Sequence, residues 1–191
     1  MNMPENIWKI GQKQVSDFLT ACFLVTLLIP LTLGLIGPFC LLGYCLIGWI
    51  VGFSSTRSDV KSLSAVSIVT LVAAIFSIDV AGEDSVLFVV GFFFVSVLAQ
   101  TEGLRRLAVA TGFPKAATHL RTAQVLFGLM FLAGLSALAP WAQEDLAAGL
   151  NFTVLYGFYL LAGSYLALGF QNWRKSLSAG LTVEEETDLS L

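Results

Sequence analysis

Apolar positions in this chain come in long runs, and charged positions gather in short patches between them. Uncharged stretches cover residues 20–56, 62–78, 85–101, 122–143 and 146–173. A helix rises 1.5 Å per residue, so a hydrocarbon core about 30 Å thick takes roughly 17–25 residues. The last four stretches each match one crossing. The first is too long for one helix and holds Pro30, Gly34, Gly37 and Pro38 in its middle, so it reads as two helices with a tight turn near Gly37-Pro38. The pattern predicts an all-α, polytopic transmembrane bundle. Six spanning helices fall at about 18–36, 38–53, 62–80, 85–111, 114–139 and 147–172, paired as three hairpins. Residues 1–17 form an interfacial segment, 18–175 the membrane domain and 176–191 an acidic flexible tail.

Charge then orients the bundle. Lys and Arg near span ends stay on the cytoplasmic side. Lys9 and Lys13 precede the first helix, Arg57 and Lys61 follow the second, and Arg105, Arg106, Lys115 and Arg121 lie between the fourth and fifth. Arg174 and Lys175 follow the sixth, whereas the turns near 37–38, 81–84 and 140–145 carry no positive residue. Six crossings with both termini in the cytoplasm keep all ten Lys and Arg inside. Five crossings would put Lys9 and Lys13 opposite Arg57 and Lys61. A re-entrant first hairpin leaves the orientation unchanged. Trp8, Trp49 and Trp173 are expected near the inner interface and Trp141 near the outer one, as amphipathic rings prefer headgroup level.

Composition supports this class. Hydrophobic residues make up 57% and charged residues 12% of the 191 residues, too few charges to clothe a soluble domain. The net charge of −3 owes much to Glu184, Glu185, Glu186 and Asp188 in the tail. No clustered basic face suggests nucleic acid as a partner. Leu19-Thr20-Ala21-Cys22 imitates a lipoprotein cleavage box, but the apolar run follows Cys22 instead of preceding it. Asn151-Phe152-Thr153 has the spacing of a glycosylation acceptor and reads as a polar helix end.

The connection 101–121 is the most informative. Glu102 stands three and four residues before Arg105 and Arg106, which favours a helix. Gly112 supplies a left-handed stop, and Pro114 opens a new helix carrying Lys115, His119 and Arg121 into the fifth span. The fourth and fifth helices are thus expected to protrude as a basic hairpin, with Arg105, Arg106, Lys115 and Arg121 as candidate contacts to lipid phosphates or a protein partner. The acidic tail could fold back on it. Close helix packing is assigned to Gly48 and Gly52, and to Gly163 and Ala167. Phe92, Phe93 and Phe94 point around the fourth helix, so at least one faces lipid.

Catalytic chemistry finds no motif. One histidine, His119, supplies neither paired haem ligands nor a His-rich metal site, and is read as a helix or lipid contact. Cys22, Cys40 and Cys45 are read as small buried hydrophobes. Asp79, Glu83, Asp84, Glu144 and Asp145 could gather cations if two outer loops meet, although solvated loop charge explains them equally well. No cofactor or metal is expected. The reading is of a non-enzymatic multi-pass protein of the cytoplasmic membrane, a scaffold or partner-binding protein able to self-associate. The alternative is an oligomeric small-solute or ion transporter. A mid-depth polar cavity lined by Thr26, Thr32, Tyr44 or Thr70 would favour transport, and a solid core would favour the scaffold.

Overall fold

A computed structural model of the chain describes residues 7–8, 11–31, 37–80, 86–136 and 145–188. These residues form six helices: α1 (Gln12–Leu31), α2 (Gly37–Ser54), α3 (Ser58–Val80), α4 (Val86–Ala110), α5 (Pro114–Ser136) and α6 (Asp145–Asp188). Consecutive helices pack on one another, α1 closes the ring against α6, and α2 also reaches α4. Short connections between apolar helices favour this neighbour-to-neighbour arrangement. Ahead of α1, Trp8 forms a bridge with Ser55, and the Thr56 amide donates to the Ile7 carbonyl at 2.8 Å.

Among the described residues, three helices contain stretches long and apolar enough to cross a membrane: Ser58–Ser77, Phe88–Ala110 and Thr153–Leu177. Phe39–Ser54 is apolar but shorter. Lys115, His119 and Arg121 make the first two turns of α5 polar.

Several boundaries move from their expected places. Helix α1 begins at Gln12, inside the segment assigned to the interface, because Val15, Leu19, Cys22 and Thr26 form a fully buried stripe at steps of four and three. Helix α3 takes in Ser58 and Asp59, whose carboxylate stands in its first turn. The sixth helix, expected to stop near 172, runs on to Asp188 and spans 44 residues. Extending an existing helix needs no new nucleus, and 173–188 contains no proline to break it. The acidic segment is thus helical up to Asp188.

The α4–α5 connection forms as the sequence predicts. Gly112 has φ 82°, the Phe113 amide donates to the Ala108 carbonyl at 2.9 Å, and the Gly112 amide donates to the Val109 carbonyl at 3.1 Å. This is the Schellman closure of a helix by a left-handed residue. Gly112→Ala should lower stability by about 1 kcal/mol, since a side chain is disfavoured in that conformation. A thermal midpoint equal to that of the parent protein would contradict this. The hairpin tip is well packed: Leu104, Leu107, Ala108, Ala116 and Leu120 are buried.

On the outside of the bundle, exposed residues change character along the helices. Lys13, Gln14 and Asp17 give way to Leu24, Leu27 and Leu28 on α1, and Ser58 and Ser62 to Val66, Val69 and Phe76 on α3. On α5, Lys115, Thr118 and Arg121 give way to Val125, Leu129 and Leu132. Helix α6, running the other way, passes from Leu161 and Leu168 to Lys175 and Ser176. Contacts between neighbours bring these changes to a similar level: Arg174 lies over the Phe23 ring at 5.0 Å, and Gln124 reaches the Leu98 carbonyl at 3.4 Å and Glu102 at 3.3 Å.

Candidate functional site

Where α2, α3 and α4 meet, polar side chains replace the usual aliphatic packing. Gly48 and Gly52 lie on one face of α2, one helical turn apart, and let the two other helices come close. A Cβ at Gly48 would stand 2.5 Å from Gln100 Nε2 and 2.9 Å from its Cδ. A Cβ at Gly52 would overlap Ser64 Oγ. Around this approach, Trp49 Nε1 donates to Ser67 Oγ at 2.9 Å, and the Ser67 and Ser96 hydroxyls share a hydrogen bond of 2.9 Å. Ser96 Oγ also donates to the Ser67 carbonyl at 2.8 Å, and the Tyr44 and Thr101 hydroxyls meet at 2.8 Å. Interhelical hydrogen bonds of this kind are worth about 0.6 kcal/mol on average between membrane helices. Gln100 and Ser64 are fully buried, yet the Gln100 amide and the Ser64 hydroxyl find no partner among the described residues.

Beside this seam, at the basic end, lies a chain of ion pairs. Glu102 accepts from Arg105 Nε and Nη2, both at 2.7 Å, and from Arg106 Nε at 2.8 Å. Arg106 Nη1 also lies 3.7 Å from Asp59 Oδ2, the atom that Arg57 Nη2 approaches at 3.0 Å. The bidentate Arg57–Asp59 pair holds the Arg57 guanidinium further in its charged form than usual. The network joins α3 to α4, and Gln124 ties in α5.

The residues singled out in the sequence meet different fates. Gly48 and Gly52 make the close approaches expected of them. Gly163 and Ala167 are buried on α6, and Gly169 makes a tight contact there, with a Cβ placed 3.3 Å from Leu120 and 3.5 Å from the Ala116 carbonyl. Arg105 and Arg106 are engaged by Glu102 as the spacing predicts, so they enter an ion-pair network as well as facing outward. Lys115 and Arg121 are exposed on α5. The His119 ring lies 6.0 Å from that of Tyr165, a helix contact. Cys22, Cys40 and Cys45 are buried as free thiols. Phe92 is exposed while Phe94 stacks on Phe131 at 4.6 Å.

One expectation needs correction. Trp173 is completely buried, a core residue instead of an interfacial anchor, because α6 continues past it with Leu177 also packed inside. Trp49 turns its indole N–H toward Ser67 on α3. The hydroxyls proposed to line a cavity are otherwise occupied: Thr26 and Thr70 donate to their own helices' carbonyls, and Tyr44 bonds Thr101. Thr32, the outer acids' side chains, Trp141 and the tail's acidic side chains lie outside the described residues. Among the described residues no three His, Cys, Asp or Glu converge as metal ligands.

Sequence reasoning missed the polar seam itself. Its trace was legible: Ser64 with Ser67, and Ser96 with Gln100, lie at helical spacing in otherwise apolar stretches. No family model, curated protein or solved structure matches the chain.

Proposed function

We propose that the chain is a six-span integral protein of the cytoplasmic membrane, with both termini inside, acting as a non-enzymatic scaffold. It presents its basic end to lipid and to a membrane or cytoplasmic protein partner. The observation that carries this reading is the switch along the helices from exposed polar to exposed apolar residues, with cations on the polar side. An apolar belt needs lipid around it, and cations are retained on the inner side. The scaffold is favoured over a solute path by the seam, where Gly48 leaves no room for one methyl group. Transport would instead draw on the unpartnered Gln100 and Ser64.

Threading is tested with single cysteines. The native thiols are buried, so an impermeant maleimide applied to intact cells reports the introduced positions. Glu83→Cys should label and Arg121→Cys should label only after the membrane is opened. Labelling of Arg121→Cys on intact cells would overturn the orientation. Uptake of a small solute by vesicles holding the pure protein would replace the scaffold reading with the transport one.

A further inference from the structure

We propose an anionic phospholipid site at the start of α3, with Arg57, Arg106 and Lys61 as the phosphate-binding groups; it rests on the membrane reading above and adds a ligand to it. Arg57 and Arg106 come from different parts of the chain, yet both guanidinium groups lie within 4 Å of one oxygen of Asp59. Their side chains are 42% and 44% exposed, so each keeps donor edges toward the surroundings. Lys61 stands one turn along α3 from Arg57, its amide bonded to the Arg57 carbonyl at 3.2 Å.

Two carboxylates neighbour the site and must be counted against an anion. Asp59 holds the two guanidinium groups together, and Glu102 holds Arg105 and Arg106. Four cations against two carboxylates leave a positive surplus. Guanidinium groups suit phosphate because their planar donors can bond two oxygens at once.

Position selects a lipid as the source of the phosphate. Ser62, Val66, Val69 and Phe76 follow the cations on one exposed stripe of α3, at steps of four, three and seven. The stripe passes from polar to apolar after Ser62, within about one turn of Lys61. A phosphodiester held at Arg57 and Arg106 would thus lay its acyl chains along Val66, Val69 and Phe76. Arg121 also precedes an exposed apolar stripe, but the described contacts bring no second guanidinium beside it.

The test uses the full chain purified in mild detergent. Thermal unfolding is followed while phosphatidylglycerol, phosphatidylcholine or inorganic phosphate is added, and native mass spectrometry counts retained lipids. Phosphatidylglycerol should stabilise and be retained, with phosphatidylcholine and inorganic phosphate ineffective. The double variant Arg57→Gln/Arg106→Gln should bind phosphatidylglycerol roughly thirtyfold more weakly, as expected from losing two cations near an anionic group. Lys115→Gln/Arg121→Gln removes the same charge elsewhere and should change binding less than about twofold. Should the first double variant not fold, Arg57→Lys keeps the charge, removes the fork and should weaken binding severalfold.

Equal losses in the two double variants would mean diffuse attraction and overturn the site. So would parity between phosphatidylglycerol and phosphatidylcholine, or equal stabilisation by inorganic phosphate. Cysteine labelling of intact cells fails or succeeds independently of these outcomes, so the site and the threading are judged separately.

Discussion

Gly48→Leu is expected to lower the thermal midpoint of the detergent-purified protein by about 10 °C. The first added carbon would already sit 2.5 Å from the Gln100 amide nitrogen, and three more would have to be housed in a fully buried seam. Overpacking of a tight core costs about 3 kcal/mol at the upper end of the usual range. For a chain of this size each kcal/mol moves the midpoint by about 2–4 °C. Gly91→Leu and Gly128→Leu provide the control, because a Cβ at either position meets nothing within 4 Å. Both should shift the midpoint by less than about 2 °C, since surface changes seldom exceed 0.5 kcal/mol.

A second cycle identifies the partner. Gln100→Ala removes the side chain that Gly48 accommodates, so Gly48→Ala should cost at least about 1 kcal/mol less in that background, a coupling usual for residues in contact. If Gly48→Leu behaves like Gly91→Leu, α2 does not approach α4 as described.

Glu102→Ala is expected to cost about 2 kcal/mol, the other large effect. The carboxylate accepts three bonds from Arg105 and Arg106 at 2.7–2.8 Å and a fourth from Gln124 at 3.3 Å. Hydrogen bonds to charged groups contribute about 1.5–3 kcal/mol each when buried. Glu102 keeps 23% side-chain exposure, and its partner Arg105 28%, so water can take over part of the loss and the sum is far below four such bonds. Arg57→Ala is the comparison, since an exposed ion pair contributes at most about 1 kcal/mol. Denaturation of both variants at low and high salt separates the roles: the Arg57 effect should shrink with salt, while that of Glu102 largely persists. Equal and salt-sensitive losses would reduce Glu102 to one more surface pair.

Legibility in the sequence differed by the range of the interaction concerned. The Gly112–Pro114 turn and the pairing of Glu102 with Arg105 and Arg106 involve residues at most five apart, and helical geometry alone brings them together. Gly48 and Gly52 were visible as a small-residue stripe, but their partners Gln100 and Ser64 were not, because spacing within one helix says nothing about which side chain fills the notch on another. Trp173 was misplaced for a related reason. An amphipathic ring at the end of an apolar run suits both a headgroup level and a buried helix contact, and the continuation of α6 with Leu177 packed inside makes it the latter.

The lengths of the uncharged runs, their interruption at Gly37-Pro38 and the local caps were enough to determine six helices, because helix formation answers to neighbours within a few residues. The alternation of cations supplied the proposed threading by the same reading along the chain. The tertiary structure alone decided that α2 packs against both α3 and α4, that Arg57 and Arg106 meet at one carboxylate, and that Gln100 is enclosed. Arg57 and Arg106 lie 49 positions apart, Gly48 and Gln100 52, and Tyr44 and Thr101 57. Only the packing of whole helices, which buries area against a neighbour without regard to sequence distance, can bring such residues together.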